Sequence, residues 1–148
     1  MNTSTPTTLA PALLQAYGET HYCVYADSPD AAPVILRIGQ ASKPLASLHK
    51  KFAVDCSAFI TAFNPWSQSQ TDTENTLRQE NLLKVLRARS LRWLGGIGQH
   101  PSNQWPGEPS ALILGLSLAA AKVLAEDFEQ NAFVWSAADA TPQLVLLR

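Results

Sequence analysis

The chain has 148 residues, of which 46% are hydrophobic and 16% are charged, and its formal net charge is −1. This length and apolar content suffice for one domain with a substantial core. The near-neutral charge disfavours a dedicated electrostatic binder of nucleic acid or of an anionic membrane surface. No apolar run approaches the roughly 18 residues that a membrane-spanning helix needs, so no membrane partner is expected.

The N-terminal residues and the two cysteines indicate the cellular compartment in which the protein is expected. Residues 1–8 are rich in Thr and Ser and are predicted to be flexible, with a single globular domain over residues 9–148. No basic region followed by an apolar stretch is present, so no signal peptide is evident. Cys23 and Cys56 lack metal-ligand spacing, and a pair of buried free thiols fits a reducing compartment. We therefore predict a cytoplasmic protein.

The first third of the chain predicts two short helices and a hairpin. Residues 9–17 have helical spacing of apolar side chains, and a glycine follows them. Strands at residues 21–26 and 34–38 flank a turn cluster and predict a hairpin. Ser42 can cap the second helix, in which His49 is expected at the surface.

The central stretch is a buried strand that ends abruptly. Residues 58–63 are apolar on both alternating faces, which is typical of a strand in the middle of a sheet covered on both sides. Pro65 lacks an N–H group and biases Asn64 away from helical angles, so the strand should end there. Thr71 followed by Glu74 fits a helix capping box.

The remaining pattern completes the predicted fold. It gives, in order, a helix to about residue 90, a strand at 91–97, a loop at 98–109, a buried strand at 110–116, a helix capped by Ser117, and strands at 132–135 and 143–147. Asn131, after the last helix, suits a left-handed backbone position. We predict an α/β sandwich, with α+β as the alternative, in which about six to seven strands form a mixed sheet with about three to four helices. Crossovers between parallel neighbours should be right-handed.

Polar side chains gather where the central strand ends and the next helix begins. Asn64 and Asn75 could supply amide hydrogen bonds to a ligand, Ser67 a hydroxyl group and Arg78 a charged partner. Such positions beside a helix N-terminus often bind ligands in open α/β sheets. A purely structural reading stays open, with the Asn64 segment as a turn and Arg78 as a solvated charge.

Glu108 is a second candidate group. The surrounding prolines and Gly107 should hold it in a fixed turn just before the strand at 110–116, as a lid or wall over the Asn64 turn. The alternative is an exposed carboxylate on a connecting loop. Together with Glu74 it is the candidate catalytic pair for general acid–base chemistry, and hydrolysis is the favoured reaction.

Standard cofactor and metal motifs are missing from the sequence. It contains no GxGxxG or Walker-type phosphate loop, no HExxH or CxxC metal motif, and no GxSxG nucleophile elbow. The three histidines are scattered, so no metal ligands are predicted. The sequence assigns no cofactor.

Several short motifs resemble a known family of short, mostly bacterial proteins that is catalogued only as a domain of unknown function. They are Thr-Ala-x-Asn-Pro-x-Ser at 61–67, Glu-Asn at 74–75, Glu-Pro-Ser at 108–110 and Gln-Asn-Ala at 130–132. The resemblance covers about residues 13–147 and lends no activity. It implies a single small domain in which a set of polar residues recurs together, and it adds two ligand-binding candidates, Ser110 and Asn131.

Two function classes follow from this sequence. The first is a pocket at the Asn64 turn for a small polar ligand, such as a nucleotide or its base, in either a hydrolytic enzyme or a binding protein. The second is a non-catalytic module that binds protein or RNA through aromatic and basic side chains. Those side chains are Trp66, Trp93, Trp105, Arg89 and Arg92. The pocket requires that Asn64 and Glu108 lie side by side.

Overall fold

The computed structural model describes residues 7–103 and 105–148. Its α-helices are α1 (Pro11–Glu19), α2 (Lys43–Lys51), α3 (Asp72–Ala88) and α4 (Leu118–Asp127), and a short 3-10 helix spans Pro65–Ser67. Its strands are β1 (His21–Val24), β2 (Val34–Leu36), β3 (Ser57–Ile60), β4 (Arg92–Gln99), β5 (Glu108–Leu114), β6 (Ala132–Ser136) and β7 (Gln143–Leu146). The predicted order of helices and strands is confirmed. Most of the segment predicted to be flexible, residues 1–6, lies outside the described residues.

The seven strands form one sheet in the order β2-β1-β4-β5-β3-β6-β7, and every pairing in the described chain is antiparallel. The fold is therefore α+β, and the expectation of a mixed sheet with parallel neighbours was wrong. The strand–helix–strand units β3-α3-β4 and β5-α4-β6 do connect strands that point the same way. However, β5 lies between β3 and β4, and β3 lies between β5 and β6. The two units interlock, so parallel strands are never adjacent.

The helices cover the two faces of the sheet unequally. On one face, α3 and α4 bury a continuous core that includes Ile60 and Ile113 from the sheet and Leu82 and Leu124 from the helices. On the opposite face, α2 packs over β1, β2 and the neighbouring strands through residues such as Leu45. The same face near the end of β3 and the start of β5 lies beside α1 instead and is hollow. The uncovered part of the sheet is where a site can form.

The predicted helix caps agree with the structure, whereas the predicted exposure of one side chain, His49, does not. The predicted caps Ser42, Thr71 and Ser117 each accept a hydrogen bond from a backbone N–H in the first turn. The surface position expected for His49 was wrong, because its side chain is 4% exposed and its Nε2 lies 2.8 Å from Ser57 Oγ. Within the described chain, none of the helices combines the length and apolar character needed to cross a lipid bilayer.

The cap at the start of α4 gives a simple stability test. Ser117 is exposed, and its hydroxyl accepts a hydrogen bond from the N–H of Ala120 at 3.2 Å. We expect Ser117→Ala to lower the free energy of unfolding by about 1 kcal/mol, because that N–H loses its acceptor. Urea denaturation measures the change. Ser117→Asp keeps an acceptor and should match the wild type, whereas an equally stable alanine variant would show that the cap contributes nothing.

Candidate functional site

The antiparallel pairing of β3 with β5 brings the two predicted polar segments together. Ile60, the last residue of β3, pairs with Ala111, so the chain that leaves β3 runs alongside the start of β5. There the side-chain Nδ2 of Asn64 donates a hydrogen bond to Oε2 of Glu108 at 2.8 Å. The predicted proximity of these two residues is confirmed.

The turn after β3 has an unusual backbone. Asn64, Trp66 and Ser67 have φ values of 48°, 54° and 61°, in the left-handed region that residues other than glycine seldom adopt. Such residues cost roughly 1–3 kcal/mol each and persist where surrounding contacts fix them. Those contacts include the N–H of Trp66, which donates to the carbonyl of Glu129 at 2.6 Å. Strain of this kind is concentrated at functional sites.

Both the side-chain amide and the backbone N–H of Asn64 are fixed by hydrogen bonds. Its Oδ1 accepts hydrogen bonds from Asn75 Nδ2 at 2.8 Å and from the N–H of Gln70 at 3.1 Å. The N–H of Asn64 donates to Asn75 Oδ1 at 2.8 Å. Asn75 is only 4% exposed, so this paired-amide arrangement is rigid. The two asparagines therefore position the carboxylate of Glu108.

Glu108 is the chemically distinctive group. It is the first residue of β5, it pairs with Gly98 of β4, and it is partly buried. Burial raises the pKa of its carboxyl group, and the hydrogen bond from Asn64 opposes this shift. Oε2 is occupied by Asn64, and in the described chain Oε1 has no hydrogen bond. A fixed carboxyl group with a raised pKa is suited to proton transfer.

Glu108 faces a cavity of about 680 Å³, which is within the usual size range of small-molecule sites. The cavity lies between α1, the hollow part of the sheet and the loop between β4 and β5. Its aromatic lining consists of Tyr17, Tyr22, Phe59, Phe63, His100, Trp105 and Phe133. The rings of His100 and Trp105 meet at 90° with centroids 4.6 Å apart, and Trp105 is 51% exposed at the mouth.

A second polar cluster stands beside Asn64. Ser67 Oγ accepts a hydrogen bond from Asn131 Nδ2 at 2.8 Å and lies 3.0 Å from the hydroxyl of Tyr17. Burial raises the pKa of Tyr17, partly opposed by its bond to Ser67. The left-handed backbone expected at Asn131 was wrong, because Glu129 takes that conformation with φ at 58°. The side chain of Asn131 instead ties β6 to the Asn64 turn.

Three predicted residues lie outside the cavity lining: Arg78, Glu74 and Asn131. Arg78 donates from Nε to the carbonyl of Ala62 at 2.9 Å and from Nη2 to the carbonyl of Phe128 at 2.8 Å. It therefore joins the segment after β3 to the end of α4. Glu74 is exposed in the first turn of α3. The predicted residues that do line the cavity are Asn64, Ser67, Asn75, Glu108 and Ser110.

Sequence reasoning missed Gly98 as part of the site. A Cβ atom added there would meet nothing closer than 3.7 Å, and the residue lies between Tyr22 and Glu108 in the sheet. By contrast, a Cβ on Gly96 would lie 2.4 Å from the carbonyl of Cys23, so packing alone requires that glycine. A glycine within a strand often marks the close approach of a ligand. That signal was present in the glycine-rich pattern of this strand.

Metal ligands do not cluster in the described part of the chain. Among residues 7–103 and 105–148, no group of three or more His, Cys, Asp or Glu side chains is placed to hold a metal ion. The cavity lining supplies hydrogen-bonding side chains, aromatic rings and the carboxyl group of Glu108.

Comparisons with known proteins agree with the resemblance seen in the motifs. The search of curated proteins and the search of solved structures each gave no match. A family model described as a protein of unknown function, DUF3293, matches residues 60–133, which is half of the chain. The matched region contains the Asn64 turn, Glu108 and Asn131. The chain belongs to the DUF3293 family.

Proposed function

We propose that this protein binds a small polar ligand in the cavity beside Asn64, and that Glu108 is the general base in a hydrolytic reaction of that ligand. The observation that carries the proposal is the state of the Glu108 carboxyl group. One oxygen is fixed by Asn64 at 2.8 Å, and the other has no hydrogen bond among the described residues. In a hydrolytic step this carboxylate would take a proton from water as the water oxygen bonds to the attacked atom of the ligand. The resulting carboxylic acid would then give the proton to the leaving group as its bond to that atom breaks.

The way the carboxylate is held supports the proposal. Asn64 adopts a left-handed backbone conformation, and its amide is fixed in turn by the buried Asn75. A partly buried carboxylate beside a strained turn lowers the stability of a fold, and proteins tolerate such arrangements chiefly where function requires them. A loop that served only as a connection would need neither feature.

The distribution of tryptophans bears on the alternative interaction module. Trp66 is partly buried, and its indole Nε1 donates a hydrogen bond to the carboxylate of Glu129. The guanidinium carbon of Arg148 lies 3.6 Å from the centroid of the Trp66 ring. Trp93 is partly buried against the core and Arg87. Trp105 is half exposed and lines the cavity. This distribution favours the pocket, because binding surfaces for macromolecules usually present exposed aromatic groups together.

The proposal includes a bacterial, cytoplasmic setting. Cys23 and Cys56 are both free, and the thiol of the buried Cys56 donates to the carbonyl of Leu116 at 3.3 Å. Unpaired thiols support a reducing compartment. A small molecule, rather than a nucleic acid, is the proposed partner.

Cavity binding can be tested by filling the cavity without touching its polar groups. We expect Gly98→Leu to place a side chain between Tyr22 and Glu108 and to weaken binding of any cavity ligand by at least about tenfold. Gly95→Leu is the matched control, because Gly95 is exposed on the other side of the same strand. A thermal-shift screen of nucleosides, nucleotides, metal ions and common metabolites provides the ligands. The proposal fails if no compound stabilises the wild type, or if both variants respond as the wild type does.

A further inference from the structure

The described side chains that line the cavity and carry a formal charge at neutral pH are all acidic. The lining residues that carry a formal charge at neutral pH are Asp72 and Glu108, and the described lining contains no Lys or Arg. Residues 1–6 and 104, which lie outside the described residues, contain no Lys or Arg in the sequence. Arg78, the cation expected to face a ligand, is bound to the carbonyls of Ala62 and Phe128 instead. The described lining therefore offers no Lys or Arg side chain to a phosphate or carboxylate group, and the Nε2 atom of its His100 lies 3.6 Å from the carboxylate of Glu19.

The same walls are suited to a positively charged ligand. An ionised carboxylate is purely a hydrogen-bond acceptor, and its strongest partners are planar groups that donate two N–H bonds in parallel. An ionised carboxylate has about four lone-pair sites. Asn64 takes one of them, on Oε2, so the remaining sites of Glu108 can accept the N–H groups of a ligand and a water molecule. Aromatic faces such as those of Tyr17, Tyr22 and Trp105 attract cations through their quadrupoles.

We propose that the cavity takes a flat cationic ligand that bears an amidinium or guanidinium group, with its N–H groups bound to Glu108, and that it rejects phosphate-bearing ligands. This inference rests on the proposed function, because it requires that the cavity binds a small molecule. The sequence alone led us to expect a small polar ligand, such as a nucleotide or its base, and the present inference excludes nucleotides because they carry phosphate groups.

Four compounds with one phenyl ring test the charge preference directly. Benzamidine carries the cationic N–H pair, benzamide is its neutral counterpart, and benzoate and phenyl phosphate are anionic. Titrations of isotope-labelled protein followed by NMR would monitor the Gly98 amide and the Trp105 indole. We expect benzamidine to bind at least about tenfold more tightly than benzamide, because a charge-assisted hydrogen bond replaces a neutral one. Benzoate and phenyl phosphate should leave both signals unmoved.

Two carboxylate variants show whether the preference comes from Glu108. In Glu108→Gln, the affinity for benzamidine should fall to that for benzamide. Glu126→Gln removes the same charge from an exposed site on α4 outside the cavity lining, so it should keep the wild-type affinity. An equal loss in both variants would overturn the assignment, because it would show a general effect of net charge.

The pH dependence of benzamidine binding gives an independent readout. Binding to the wild type should weaken as the pH falls and Glu108 becomes protonated, whereas binding to Glu108→Gln should lack that decrease. The other titratable side chains that line the cavity with Glu108 are Tyr17 of α1, Tyr22 of β1, His100 of the β4–β5 loop and Asp72 at the start of α3. They remain in both proteins, so the difference between the two profiles isolates Glu108.

The outcomes separate this inference from the proposed function. If benzoate or phenyl phosphate moves the cavity signals at least as strongly as benzamidine, the ligand class is wrong but the cavity still binds small molecules. If none of the four compounds moves them, the ligand class is also wrong, and the metabolite screen with Gly98→Leu decides the proposed function separately. Both proposals fail if that screen is negative as well.

Discussion

Glu108→Gln is expected to stabilise the protein near neutral pH while it weakens binding of a cationic cavity ligand by about tenfold or more. The folded-state pKa of Glu108 is raised above its ordinary value of 4.5 because burial disfavours the charged form. The folded state therefore binds more protons than the unfolded state between the ordinary and the raised pKa. Across that window the wild type loses stability as the pH rises, and above it the whole loss persists.

Glutamine can keep an oxygen acceptor for Asn64 and never ionises, so the variant avoids this loss. We expect a gain of about 0.5–2 kcal/mol in the free energy of unfolding at pH 7, the range typical of a single stabilising substitution. Melting temperatures measured from pH 3 to pH 8 would show equal stability at the acid end and a growing difference above it. A variant that is less stable than the wild type at pH 7 would show that Glu108 is a structural group.

Asn64→Ala is expected to cause the largest loss of stability of the substitutions considered. It removes the acceptor for Gln70 and Asn75 and the donor to Glu108, and it places an alanine at a φ of 48°. Broken hydrogen bonds to buried groups cost about 1–3 kcal/mol, and a left-handed alanine about 1–2 kcal/mol. We expect a total near 3 kcal/mol, measured by urea denaturation.

Asn64→Gly separates the two causes, because glycine loses the same side-chain bonds but adopts a positive φ freely. The glycine variant should be more stable than the alanine variant by about 1 kcal/mol. Equal losses would mean that backbone strain at this turn is negligible. A loss below about 1 kcal/mol in both variants would show that the paired amides do not hold the turn.

The sequence predicted the elements of this fold because their signals are local. Continuous apolar runs marked the buried strands β3 and β5, and the capping residues Ser42, Thr71 and Ser117 marked the start of α2, α3 and α4. The pairing of strands was not local. A strand–helix–strand pattern predicts that two strands run parallel, which is true here, but it contains no information about a third strand inserted between them.

Part of the candidate site was also predictable. The proximity of Asn64 to Glu108 required only that β3 and β5 be buried neighbours, and antiparallel pairing supplies it directly. The orientation of Arg78 was not predictable, because it depends on the carbonyl of Phe128, 50 residues away. The sequence also did not predict that α1 forms one wall of the cavity, because the contact of Tyr17 with Ser67 likewise spans 50 residues.

The interlocked arrangement of the sheet has a consequence for how the chain folds during synthesis. Both ladder partners of β3, namely β5 and β6, lie later in the chain, at residues 108–114 and 132–136. A ribosome must therefore release β3 about 50 residues before its first partner exists, and an unpaired apolar strand is prone to aggregate. Nascent chains should consequently depend on holding chaperones until β5 emerges, and pulse labelling of arrested chains would detect that interval.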